Sequence, residues 1–180
     1  ADRARIALGS ARGFAIGADG RVYEFPLAAG SASAMAQPVD GVEHAESVAT
    51  HGAFACVVTS ERRVVCWGRG RPHEQIANID TTPAPIDAFV NAQAVVVTST
   101  AVCARDGAGA VTCLGRRLID DRERTDSVFS FPLPRAAVQL AGATHAVCAV
   151  LDDGALHCMG GIGHYAFTGT GGPRAVRTPF

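Results

Sequence analysis

The sequence predicts an all-β fold, a β-propeller assembled from about four repeats of roughly 45 residues and closed either as a small ring or as a partial one. Three observations lead there. All six cysteines fall into pairs ten positions apart, at "CVVTSERRVVC" (56–66), "CARDGAGAVTC" (103–113) and "CAVLDDGALHC" (148–158). A fixed set of flanking apolar and glycine positions recurs around the pairs. The strand-like segments are apolar on both alternating faces, the mark of strands buried on two sides.

The cysteine spacing selects a hairpin. On an α-helix, residues ten apart are separated by about 15 Å along the axis, beyond the roughly 4.4–6.8 Å between Cα atoms that a disulfide spans. In an antiparallel hairpin, Cys56 faces Cys66 if Val57 pairs with Val65, Val58 with Val64 and Thr59 with Arg63, leaving a three-residue loop at 60–62. Directly opposed residues are then about 4.5–5.5 Å apart, within bonding reach. The same count places loops at "GAG" (107–109) and "DDG" (152–154), each ending in the glycine that a left-handed last loop position favours. Arg62 takes that position in the hairpin of 56–66, at a conformational cost. Disulfides Cys56–Cys66, Cys103–Cys113 and Cys148–Cys158 are therefore expected, each stabilising its hairpin by roughly 2–3 kcal/mol. Structural zinc calls for close pairs such as C-x2-C, which do not occur; reduced cysteines packed as small hydrophobes are the competing reading.

An earlier, cysteine-free copy is "FAIGADGRVYE" (14–24), with Phe14 and Glu24 in the cysteine positions and Gly20 closing its loop. Phe14, Cys56, Cys103 and Cys148 stand 42, 47 and 45 residues apart. Eight residues before these anchors come Ile6, Val48, Val95 and Leu140. Directly after the second anchors come Phe25, Trp67, Leu114 and Met159, followed in the last three copies by Gly68, Gly115 and Gly160. The repeats are thus expected at about 1–37, 38–84, 85–131 and 132–172 of a single domain spanning 1–180.

The strands "FACVV", "RVVCW", "AVVVT" and "AVCAV" fit blades stacked face to face around an axis, whereas a two-sheet sandwich would leave one face of each sheet wet. The alanine-rich stretch 136–150 has helical propensity, which the repeat alignment overrides. Pro38 and Pro85 each stand 18 residues before the next cysteine, and Pro132 and Pro134 lead a shorter form of the same linker. The C-terminal "GGPRAVRTPF" supplies a proline-led strand with no hairpin after it, while the N-terminus begins at a hairpin with no such strand before it. Residues 173–180 are accordingly expected to complete the first blade and close the ring.

Composition narrows the function classes. At 48% hydrophobic residues the chain can bury a core, and 16 basic residues, all arginine, against 17 acidic ones imply no general attraction to nucleic acid or anionic lipid. The exclusive use of arginine fits GC-rich coding bias. Asn91, Gln93 and Thr98 interrupt the longest apolar stretch, so direct membrane insertion is not expected. The opening "ADRARIALG" is not a leader, which fits either a removed signal peptide or a segment cut from a longer product. Bonded cysteines place the chain outside the cytoplasm: extracellular, periplasmic or at the cell surface.

The pattern resembles the repeat of the regulator of chromosome condensation family: a proline-led strand, then V-A, then a hairpin ending in C-W-G. "VATHGAFACVVTSERRVVCWG" (48–68) and "QLAGATHAVCAVLDDGALHCMG" (139–160) carry it best. The G-Q-L-G element that usually follows is degenerate, as "EQIA" (74–77) and "YAFTG" (165–169), and is absent after Leu114. The resemblance implies a propeller, usually of seven blades. Four repeats then mean a small ring, an arc completed by another chain, or part of a longer protein. The cysteine-paired hairpins resemble the secreted bacterial members. Family members include exchange factors, signalling adaptors and a secreted β-lactamase inhibitor, which implies action through protein contacts.

No catalytic constellation emerges. His44, His51, His73, His145, His157 and His164 read as surface or packed residues, and a bonded Cys158 removes its pairing with His157 as a nucleophile. Ser60 and Ser99 lack a G-x-S-x-G context. Asp152 and Asp153 belong to a turn, and "IDD" (119–121) lacks the further oxygen ligands of a calcium loop. Gly169 to Gly172 has no lysine and no following helix for a phosphate. Neither a metal nor a cofactor is expected. The densest polar run, "GRRLIDDRERTDS" (115–127), reads first as a solvated loop, and as a contact face if it lies on a propeller rim. Arg116, Arg117, Arg122 and Arg124, with Arg69, Arg71 and His73 one repeat earlier, are the candidate protein-binding residues. The expectation is a noncatalytic exported propeller that binds another protein or copies of itself, as a structural subunit of a surface or envelope assembly. Alternatives are a lyase or hydrolase on the propeller rim, or a secreted inhibitor of an enzyme.

Overall fold

The computed structural model describes residues 5–27, 35–69, 81–115, 127–162, 165–166 and 174–176. These residues form strands and turns without a helix, in four antiparallel sheets that follow one another along the chain. The first comprises β1 (Ile6–Leu8), β2 (Arg12–Ile16), β3 (Val22–Pro26) and β4 (Gln37–Pro38). The second comprises β5 (Ala45–His51), β6 (Ala53–Thr59), β7 (Val64–Arg69) and β8 (Ala84–Pro85). β9 (Ala92–Val97), β10 (Ala101–Asp106), β11 (Val111–Gly115) and β12 (Ser127–Ser130) make the third. The fourth contains β13 (Ala137–Gly142), β14 (Ala146–Leu151) and β15 (Leu156–Ile162), with β16 (Tyr165–Ala166) and β17 (Arg174–Val176) both paired to β15. Each sheet is a propeller blade.

The hairpin registers are those the cysteine spacing requires. Cys56 pairs with Cys66, Cys103 with Cys113 and Cys148 with Cys158, and the sulfurs of each pair are bonded, with Cα atoms 4.1, 4.0 and 4.0 Å apart. Phe14 pairs with Glu24 at the same place in the cysteine-free blade. The last loop positions are left-handed, with φ of 78° at Gly20, 83° at Gly109, 84° at Gly154 and 63° at Arg62. Arg62 occupies a conformation that costs an L side chain roughly 1–2 kcal/mol. Its guanidinium bonds the Glu46 carboxylate at 2.9 Å, which offsets part of that cost.

The glycine after each third-strand apolar residue has a separate cause. Gly68, Gly115 and Gly160 have φ of 110°, 129° and 112°, and a Cβ at these positions would collide with the carbonyl oxygens of Ala53, Thr100 and His145, where the chain enters the neighbouring strand.

The core lies between blades, because each sheet is apolar on both faces. Phe14, Ile16 and Val22 meet Val48, Ala55, Val57 and Trp67 at the first junction, where the Phe14 ring stands edge-on to the Trp67 ring at 5.7 Å. Phe54, Cys56, Val58, Val64 and Cys66 face Phe89, Val95, Val97 and Val102 at the second. Cys103, Val111, Cys113 and Phe129 face Leu140, Val147, Leu151 and Met159 at the third. Each fully buried Val or Phe contributes roughly 1.5–3 kcal/mol. In the second and third blades the bonded pair faces the blade that follows.

The C-terminal strand differs from the expectation of ring closure. β17 pairs through Arg174 with Cys158, in the slot that Gln37 occupies opposite Glu24, Ala84 opposite Cys66 and Phe129 opposite Cys113. The proline-led strand is therefore the outer strand of the blade before it, and 174–176 completes the fourth blade rather than the first. A hydrogen bond to the preceding third strand can form as soon as the chain turns back, so this outer slot is filled locally in every blade.

Candidate contact faces

The turns between first and second strands, at His51–Gly52, Thr98–Thr100 and Ala143–His145, lie at one end of the blades. Arg69 closes β7 at that same end, paired with Ala53, and is exposed. Of the candidate protein-binding residues, Arg69 alone is described; Arg71, His73, Arg116, Arg117, Arg122 and Arg124 lie outside the described residues.

The structure brings together three residues here that sequence reasoning left separate. The Ser99 backbone N–H donates to the Thr144 carbonyl at 2.8 Å, and the Ser99 hydroxyl reaches the same oxygen at 2.5 Å and the His145 Nδ1 at 2.8 Å. Burial holds His51 below the ordinary histidine range, and His145 pushes it further the same way. A serine hydroxyl has one proton. With that proton on the Thr144 carbonyl, Ser99 accepts from Nδ1–H of His145; with it on Nδ1, the imidazole accepts from the serine, the histidine tautomer setting which. The contact ties the third blade to the fourth. Nothing local marks it, since Ser99 and His145 are 46 residues apart.

A cleft of about 370 Å³ opens between the first and second blades, lined by Glu24, Asp40, Trp67, Thr82 and Pro83. The Glu24 carboxylate is held by Arg12, and the buried Trp67 Nε1 has no hydrogen-bond partner among the described residues. Among the described residues no group of three or more His, Cys, Asp or Glu side chains is placed to hold a metal ion.

Large apolar side chains are exposed at several places among the described residues, including Met35 and Val90 between blades and Ile6 and Leu8 in the first strand. At the position shared by the four first strands, Val48, Val95 and Leu140 are 3%, 7% and 8% exposed, whereas Ile6 is 61% exposed. Leu8 beside it is 62% exposed. In a ring closed by this chain alone, the fourth blade would cover Ile6 as the first covers Val48. The four blades therefore form an arc.

No family model matches the chain, and no curated protein matches it. Solved structures do. The chain is similar to human WBSCR16, at 17% identity over 99% of this chain and 54% of that one, with a TM-score of 0.77. It is similar to Prp20p from Saccharomyces cerevisiae, at 14% identity over 86% of this chain and 42% of that one, with a TM-score of 0.69. It is similar to BamB from Moraxella catarrhalis, at 11% identity over 91% of this chain and 45% of that one, with a TM-score of 0.58. The chain thus spans about half the length of the solved structures it matches, and what it shares with them is the propeller fold.

Proposed function

We propose that this chain is a noncatalytic, exported propeller segment that works by binding protein, as a structural subunit of a surface or envelope assembly. The observation that carries the reading is the exposure of Ile6 and Leu8 on one face of β1, at the first-strand position that a neighbouring blade covers at Val48, Val95 and Leu140, since apolar side chains left open on a packing face suit a contact with another protein. Three disulfides fit an oxidising compartment. The fold neighbours point the same way. The Prp20p structure is reported with its binding properties to Gsp1p and histones, and yeast RCC1 (Prp20) is seen bound to Kap60.

The test has two arms. Peptide mapping without reductant of the chain recovered from its native compartment is expected to return all three linked pairs; free thiols would remove the export argument. The purified chain and its Ile6→Asp, Leu8→Asp variant are then compared for association with proteins of that compartment, including the chain itself. Association by the first and not the second supports the reading, and no association by either overturns it.

A further inference from the structure

The chain contains four Asp–Gly bonds, at 19–20, 40–41, 106–107 and 153–154. A bond of this kind can rearrange without an enzyme. The glycine nitrogen attacks the aspartate Cγ, the amide proton and the carboxyl hydroxyl leave as water, and a cyclic imide closes. Water then opens the ring at the former backbone carbonyl, and the main chain afterwards runs through Cβ and Cγ as isoaspartate. Glycine favours the first step because no side chain shields its nitrogen. The carboxyl must swing onto that nitrogen and must carry a proton to leave as water, so hydrogen bonds that fix it as a carboxylate oppose both.

Three of the four carboxylates are fixed in this way. Asp19, Asp106 and Asp153 stand at hairpin turns, where each side chain accepts from the backbone N–H two residues on, at 3.0, 2.9 and 3.0 Å. Asp106 accepts again from the Ala110 N–H at 2.9 Å, and Asp19 from the Tyr23 hydroxyl at 2.9 Å. The Arg21 N–H and Tyr23 hold the Asp19 carboxyl below the usual carboxylate range. Two of the attacking nitrogens are engaged as well, Gly20 donating to the Gly17 carbonyl at 3.1 Å and Gly154 to that of Leu151 at 2.9 Å.

Asp40 is the exception. It lies exposed in the turn between β4 and β5, and among the described residues neither its carboxylate nor the Gly41 N–H has a hydrogen-bond partner. Gly41 is left-handed at φ 81°, and a Cβ there would meet nothing within 4 Å, so the space beside it is open.

We infer that Asp40–Gly41 is a site of spontaneous isoaspartate formation in the folded chain, a reaction that the turn hydrogen bonds withhold from the other three Asp–Gly bonds. The position gives the product its effect. Asp40 lines the cleft between the first and second blades with Glu24 and Trp67, and Val42, two residues on, is packed in the core of the same junction. Isomerisation moves one methylene from the side chain into the main chain, which shifts the charge on the cleft wall and lengthens the chain entering the junction.

Prolonged incubation of the disulfide-intact chain in mildly acidic buffer, below its melting temperature, tests this, with proteolysis and separation of the isomeric peptides as the readout. Isoaspartate is expected at position 40 at a rate on the order of tenfold or more above that at 19, 106 or 153, the factor carried by one hydrogen bond to a charged group. A species lighter by one water, confined to the peptide holding 40 and 41, should precede it. In denaturant, where the turn hydrogen bonds are lost, the four bonds are expected to react at comparable rates. Asp40→Glu, which would have to close a larger and less favoured ring, should remove the product with unchanged circular dichroism. Equal rates at the four sites in the folded chain, or no isoaspartate at 40 while the unfolded chain forms it, would overturn the inference. So would a preference for 40 that persists in denaturant.

Discussion

Arg62 and Glu46 meet at 2.9 Å across the loop of the second blade, with Arg62 held at φ 63° where three other blades place glycine. The backbone strain and the ion pair oppose each other, the strain at roughly 1–2 kcal/mol and a partly exposed pair at roughly 0.2–1 kcal/mol. Arg62→Gly removes both and is expected to melt at or slightly above the wild type. Arg62→Ala keeps the strain, loses the pair and is expected to melt below it. A thermal scan in which the alanine variant outlasts the glycine variant would refute this account.

Gly68 and Gly52 separate two costs of replacing glycine. Both have positive φ, but a Cβ on Gly52 meets nothing within 4 Å, whereas one on Gly68 meets the Ala53 carbonyl in the partner strand. Gly52→Ala is expected to cost about 1 kcal/mol of strain, and Gly68→Ala on the order of 3 kcal/mol as the hairpin is forced apart. Equal losses in denaturant titrations would show that the close approach carries no weight.

Removing one bonded pair isolates its contribution. The double substitution Cys56→Ala, Cys66→Ala is expected to lower stability by roughly 2–3 kcal/mol, chiefly by freeing the unfolded chain. The hairpin register should persist, because Val57, Val58 and Val64 are packed on their own account. Amide exchange of β6 and β7 provides the check; loss of protection across both strands with the rest of the blade intact would mean the bond sets the register.

His51 gives a pH dependence with a definite sign. Its depressed value means the unfolded chain takes up a proton more readily than the folded one. Stability from this group is therefore full above the ordinary histidine range and falls as pH drops through that range towards the lower folded value. His51→Gln should flatten the stability curve between mildly alkaline and mildly acidic pH. A variant curve as steep as the wild type's would assign the titration elsewhere.

How much could be read from the residues divides along range in the chain. The pairing of Cys56 with Cys66, the loop at 60–62 and the left-handed slot that Arg62 fills all follow from contacts within a dozen positions, where bond geometry and turn stereochemistry leave one solution. Both-face apolarity likewise forced the blades to stack. By contrast, the meeting of Ser99 with His145 and the cleft that joins Glu24 to Trp67 bring together residues from different repeats, and no local signal marks them. A contact role for Arg71, His73, Arg116, Arg117, Arg122 and Arg124, which lie outside the described residues, is a proposal carried by composition.

The sequence by itself determined the strands, their registers, the disulfide pairing and the four-fold repeat, because these are set by alternation and spacing along one chain. Whether the arc closes was decided only in three dimensions. The terminal segment has the composition of a ring-closing strand, but Arg174 pairs with Cys158 in its own blade, and Ile6 is left open where Val48, Val95 and Leu140 are covered. Closure depends on the summed rotation between stacked sheets, a quantity that no single repeat encodes.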